Sequence, residues 1–196
     1  MSSSMIADYN DLLSYMIVDL PSCPDKVILQ QLRQTGRDFL ARTEIWTEDL
    51  DSINVVANTA DYDLSVGDNA YILRIKKAEY LGGTLAPDDF YFLNNKTFRF
   101  VTTPVASKTD ALDITVILSP LLNSEIIPIW ILERYAEPIM AGAKRNLLVM
   151  PNKPWSNPDL GNYFDEIYSI GISTGKRESY AGYTSGSFTI QNGGFI

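Results

Sequence analysis

The hydrophobic period of this chain changes twice, and the two switches limit it to helices, then strands, then helices again. From Asp8 to Val18 the apolar residues Leu12, Leu13, Met16 and Ile17 recur at three- and four-residue spacing, as on one face of a short helix. The stretch Asp19-Leu20-Pro21-Ser22-Cys23-Pro24 stops it. Pro24 can open a second helix, because its missing N–H is not needed in a first turn and Ser22 or Cys23 can stand at the cap. Ile28, Leu32, Phe39, Ala41, Thr43 and Trp46 then extend one stripe through about 23 residues, or about 34 Å of helix.

After Trp46 the pattern becomes short β-type runs broken by polar turns. Asp51 to Ala57, Ala70 to Leu81, Phe90 to Leu93, Thr97 to Thr102 and Leu112 to Leu118 are the candidates. In the last run Leu112, Ile114, Val116 and Leu118 face one way, with Asp113 and Thr115 on the other side. Gly82-Gly83 and Asn94-Asn95 are turn signals, the second pair fitting a tight hairpin between Phe92 and Phe98. Residues 47 to 120 therefore read as a small antiparallel sheet.

Helical spacing returns with Ile127, Ile131, Tyr135, Ile139, Ala143 and Leu147. Pro128 suits a first turn, whereas Pro138 removes a hydrogen bond and clashes with the carbonyl of Arg134, at about 3 kcal/mol, so a kink is expected there. Ala136, Ala141, Gly142 and Ala143 would let another backbone come close. After the loop from Pro151 to Ser156, Asn157-Pro158-Asp159 has the cap, proline and acid of a further helix start. That helix is expected to use Leu160, Phe164, Ile167, Gly171 and Ile172. From Ser179 to Ile196 there is no charged residue, and Tyr180, Tyr183, Phe188, Ile190, Phe195 and Ile196 are set among Gly, Ser, Thr and Asn. A simple disordered tail is usually charged and poor in aromatics, so this segment reads as an arm that can reach about 60 Å and adhere.

Composition narrows the chemistry. A chain of 196 residues with 45% apolar content can form one compact domain or two small lobes. No stretch of about 18 uninterrupted apolar residues occurs, and the first five residues lack the pattern of a signal peptide, so a cytoplasmic start is expected. The lone cysteine, Cys23, can form neither an intrachain disulfide nor a zinc cage. The net charge of −8 is uneven: residues 1 to 70 carry 12 acids and 4 bases, the rest 12 of each. An acidic first third repels phosphate and otherwise serves as a solvated surface.

There is no histidine, which removes Ser-His-Asp and Cys-His nucleophile activation and the usual general base near neutral pH. Catalysis would rest on carboxylates such as Asp88-Asp89 or Glu133 with Glu137, residue types and spacings that are ordinarily just solvated. Gly171-Ile172-Ser173-Thr174-Gly175-Lys176-Arg177 fails as a phosphate loop in spacing, in its last residue and in following a helix, and reads better as a helix C-terminus. Asp61, Asp63, Gly67 and Asp68 form a poor calcium loop, with the glycine misplaced and no closing glutamate. Asn95-Lys96-Thr97 has only the form of a glycosylation acceptor. Lys76 and Lys77 read as guards of a sheet edge, and Trp46, Trp130 and Trp155 as packing anchors. No cofactor or metal site is expected.

Two local patterns carry a family resemblance. Asp11-Leu12-Leu13-Ser14-Tyr15 through Pro21-Ser22-Cys23-Pro24, leading into a long helix that ends in Arg42-Thr43-Glu44-Ile45-Trp46, is one. Met150-Pro151-Asn152-Lys153-Pro154-Trp155-Ser156-Asn157-Pro158 is the other. Both resemble stretches of the head-to-tail adaptor, or connector, family of tailed bacteriophages, and the likeness covers about residues 8 to 177.

The fold expected is α+β: a helical bundle of about four helices from residues 1–46 and 121–178, an inserted small antiparallel β-sheet over 47–120, and an extended C-terminal arm over 179–196. The resemblance implies a non-enzymatic virion protein of the neck, assembled in the host cytoplasm, whose copies form a ring of twelve between the portal protein and tail nozzle or tube proteins. DNA would pass through the ring without being read by sequence, and no membrane is involved. The arm residues Tyr180, Tyr183, Phe188, Ile190, Phe195 and Ile196 would dock on the portal by adding to a groove or sheet edge. A tail-completion or tail-tube terminator protein is the alternative within the structural class. A carboxylate-dependent hydrolase acting on cell-wall glycans is the alternative outside it.

Overall fold

The computed structural model describes residues 6–181. Its helices are α1 (Leu13–Ile17), α2 (Asp25–Thr43), α3 (Ile129–Leu148) and α4 (Pro158–Ala181). Its strands, in chain order, are β1 (Ile6–Asp8), β2 (Thr47–Asp49), β3 (Ile53–Val55), β4 (Asp61–Asp63), β5 (Ala70–Tyr80), β6 (Gly83–Thr84), β7 (Phe90–Leu93), β8 (Thr97–Phe100), β9 (Lys108–Pro120) and β10 (Ile126–Pro128).

The helices enclose one apolar core. α2 starts after the extended Pro24, carries Asp25 in its first turn and Arg42 in its last, and stops at Glu44 in the left-handed region. Ile28, Leu32, Thr35, Gly36, Phe39, Leu40 and Thr43 form its buried stripe. On α3 the residues Ile131, Tyr135, Ile139, Ala143 and Leu147 are all buried, the regular four-residue series that the spacing predicts. The helix kinks at Tyr135 (φ −125°, ψ 15°), three residues ahead of Pro138. Pro138 has no N–H for the carbonyl of Arg134, so the backbone yields just before the proline ring.

α4 runs past both of its later glycines to Ala181. The expected helix end at Gly175 is therefore not one. A Cβ on Gly171 would sit 2.2 Å from Cβ of Pro138, and one on Gly175 would sit 2.6 Å from Cγ2 of Thr43. Both glycines serve close approach of α4 to α3 and α2. The buried stripe of α4 is Gly161, Tyr168, Ile172 and Gly175; it includes the expected Ile172, while Leu160, Phe164 and Ile167 lie half-buried beside the core.

The expectation of a helical bundle with one small inserted sheet is overturned. Among the described residues the strands form three antiparallel sheets, the largest a curled half-barrel of five strands. β5 and β9 pair along most of their length, with β2 and β3 following one another on the other side of β9 and β6 closing the end of β5. Register shifts after Ile72 and Ile75 sharpen the curl. A second sheet has the order β4-β8-β7, its hairpin turning on Asn94 and Asn95 at φ 52° and 54°. The third pairs β1 with β10.

β9 shows why the sequence understates the β content. Leu112, Ile114, Val116 and Leu118 bury one face against Tyr62, Phe98 and Phe100, as their alternation predicts. From Val116 to Pro120 every residue is buried, because the opposite face lies against α2, where Arg37 Nε donates to the carbonyl of Pro120 at 3.1 Å. Alternation disappears in a strand covered on both sides, so the sequence showed only its middle. β2, β4 and β10 have three residues each, too few for a period to register.

Candidate functional site

The residues singled out in the sequence for partner binding begin on the last turn of α4. Tyr180 is 79% exposed there. Tyr183, Phe188, Ile190, Phe195 and Ile196 lie outside the described residues. Just before Tyr180, two neighbours tie α4 to both lobes. Glu178 accepts a forked pair from Arg134 Nε at 3.0 Å and Nη2 at 2.7 Å, and also the hydroxyl of Tyr135. Hydrogen bonding from Arg134 holds the Glu178 carboxyl below the usual carboxylate range, and the same pairing pushes the Arg134 guanidinium further up. Ser179 donates from its hydroxyl to the carbonyl of Glu44 at 2.9 Å, and its own carbonyl accepts from Lys76 Nζ at 3.0 Å. Glu44 in turn pairs with Arg74 on β5. Lys76 thus fastens β5 to α4. Lys77 pairs with Glu79 at 2.8 Å.

Two surfaces of opposite charge are found elsewhere among the described residues. The first is a hollow of about 630 Å³ whose lining includes Glu48, Asp49, Asp51 and Asp68, with the indoles of Trp46 and Trp130 half-buried beside them. No base lines it, and none of these carboxylates is in an ion pair among the described residues. β2, which supplies Glu48 and Asp49, is an outer strand with all three side chains exposed. The second is the outer face of α2, where Lys26, Gln30, Arg33, Gln34 and Arg37 border a groove of about 830 Å³ closed by Leu122, Asn123 and Glu125. Arg33 pairs with Glu125 at 2.7 Å. A third, smaller groove of about 460 Å³ runs between α3 and α4 over Pro138, Ile167, Ile170 and Gly171.

The sequence did not single out the α2 face, although Lys26, Arg33 and Arg37 stand at helical spacing. The acidic hollow was beyond reach, because Trp46, Asp68 and Trp130 meet only through the fold.

Of the candidate catalytic acids, Glu137 borders the groove between α3 and α4, where Glu178 on the facing helix is already forked to Arg134. Asp88 and Asp89 occupy an exposed turn, where Asp89 accepts from the N–H of Ala86 at 2.7 Å and caps it. Glu133 and Glu137 are exposed on α3. Gly171 to Arg177 is interior helix with no turn to cradle a phosphate. Of the calcium-like group, Asp61 is forked to Arg99, with Nη2 at 2.6 Å, and that hydrogen bonding holds its carboxyl low, while Asp63 accepts from Thr97 at 2.9 Å. Among the described residues no cluster of three His, Cys, Asp or Glu side chains could hold a metal. No helix there is long and apolar enough to cross a membrane. No family model matches the chain, and no match is found among curated proteins.

Proposed function

We propose that this chain is a structural subunit of a tailed-phage neck, a head-to-tail adaptor whose copies form a ring between portal and tail. The observation that carries the reading is how α4 leads into residues 179–196. α4 is braced to both lobes at Glu178 and Ser179 and presents Tyr180 to solvent, and the sequence beyond it is uncharged and rich in aromatic and aliphatic residues. A segment of that chemistry, held at a fixed exit point, suits main-chain and apolar docking on another protein. Repetition around a ring turns weak docking into lasting attachment through high effective concentration. The resemblance of residues 8 to 177 to connector proteins supplies the kind of partner, the portal.

The test is truncation after Ala181, which spares the Ser179 contacts that join the lobes. The shortened chain is expected to fold as the full chain does and to lose portal binding in a pull-down. Undiminished binding would remove the arm from the proposal. Binding of tail proteins with none to portal would replace it with a tail-terminator role.

A further inference from the structure

We infer that the basic face of α2 in one copy of this chain seats in the acidic, tryptophan-lined hollow of the next copy, and that this contact builds the ring. The inference rests on the self-assembling reading above and names the surfaces that would carry it.

All four bases of the first 70 residues, Lys26, Arg33, Arg37 and Arg42, are on α2. Arg33 and Arg37 follow Lys26 by seven and eleven residues, which at 3.6 residues per turn places the three within a narrow sector about 16 Å long, with Arg33 shared with Glu125 and Arg37 with the Pro120 carbonyl. Gln30 and Gln34 fill the space between with neutral donors. Against this stands a hollow whose Glu48, Asp49, Asp51 and Asp68 have no ionic partner within the described chain. Trp46 and Trp130 line the same hollow, half-buried, and an indole is the other group that a guanidinium or ammonium favours.

The occupant follows from charge. A chain of net charge −8 repels its own copies unless they meet with opposite patches in register. These two patches share no residue, so one copy can take a different neighbour on each; pairing of that kind is heterologous and leads onward from copy to copy, closing into a ring when the rotation allows. An isologous pairing would place each patch on the other's partner twice and stop at a dimer.

The test uses charge exchange in the full chain. One variant carries Lys26→Glu and Gln30→Glu, both exposed and outside the ion pairs that hold the fold. The other carries Glu48→Lys, Asp51→Lys and Asp68→Lys, which leaves Asp49 bonded to Thr115. Circular dichroism checks folding, and sedimentation velocity reads association. The unaltered chain is expected to self-associate at about 50 mM salt and at least about tenfold more weakly at about 500 mM, where screening shortens the reach of the charges. Each variant alone is expected to be folded and monomeric, and an equimolar mixture to recover association in even-numbered assemblies. A monomeric unaltered chain at every concentration, variants that associate normally, or a mixture that stays dissociated would each overturn the contact. Association of the mixture as closed dimers only would keep the pairing and sink the ring reading. Loss of duplex-DNA binding by the first variant, with the unaltered chain monomeric, would assign the α2 face to DNA instead.

Discussion

Gly142→Ala tests how tightly the three long helices meet. Gly142 lies on α3 where α2 and α4 converge on it. A Cβ there would stand 2.6 Å from Cδ2 of Tyr168 on one side and 2.7 Å from Cγ2 of Thr35 on the other. Ordinary carbon contacts are about 3.5–4.0 Å, so one neighbour or the helix itself must yield by about 1 Å. Neither side chain is free to do so. Tyr168 is 1% exposed, donates to Asp38 at 2.7 Å and is covered by the Arg145 guanidinium at 4.9 Å, while Thr35 is 2% exposed. Because neither neighbour can move, overpacking here falls in the upper part of the usual range, about 2–3 kcal/mol, and the better helix propensity of alanine returns about 1 kcal/mol. The net loss is about 1–2 kcal/mol, or a fall of about 2–8 °C in Tm for a chain of this size. Urea titration and calorimetry read it, with Gly67→Ala as the control, because no atom lies within 4 Å of a Cβ at Gly67. The control is expected within about 0.5 kcal/mol of the unaltered protein. A Gly142→Ala protein as stable as the parent would refute the close packing of α2, α3 and α4.

Two further outcomes follow. Asp19→Ala removes the partner of Lys144, which lies 2.6 Å away with only 11% of its side chain exposed; because Asp19 is itself about a third exposed, a loss of about 1–3 kcal/mol is expected in urea midpoints, and none would show that Lys144 is solvated. Glu178→Gln tests the brace at the end of α4. The Glu178 pKa is held below its unfolded value, so its contribution is present above about pH 4.3 and fades as pH falls through the lowered pKa. The gap in stability between parent and variant should be open at pH 7 and narrow by pH 3; a gap independent of pH would show that the charge of Glu178 is not what stabilises the brace.

Long periodic segments were legible from the sequence. α2 and α3 stand close to where their apolar spacing puts them, since a stripe repeated over about five turns outweighs local irregularities. The hairpin at Asn94 and Asn95 was legible too, because asparagine tolerates the positive φ that such a turn needs. The proportion of sheet was not. Thr47-Glu48-Asp49 is polar at every position and becomes strand only by pairing with Thr115 to Ile117 of β9. Gly175 followed by Lys176 and Arg177 has the signature of a helix end, yet tertiary contact with Thr43 makes the glycine a spacer and the helix continues. For the candidate site, Tyr180 could be named from its chemistry. The acidic hollow could not, since its carboxylates and indoles come from β2, the loop before β5 and the start of α3.

The last turn of α4 has a mechanical consequence. Glu178 grips α3, and Ser179 grips both the end of α2 and, through Lys76, the strand β5. Tension applied to the chain beyond residue 181 enters the molecule at this junction and divides between the two hydrophobic cores. Unravelling α4 from its tip requires breaking the fork to Arg134 and both Ser179 bonds, so a pull on this end is shared among α3, the end of α2 and β5.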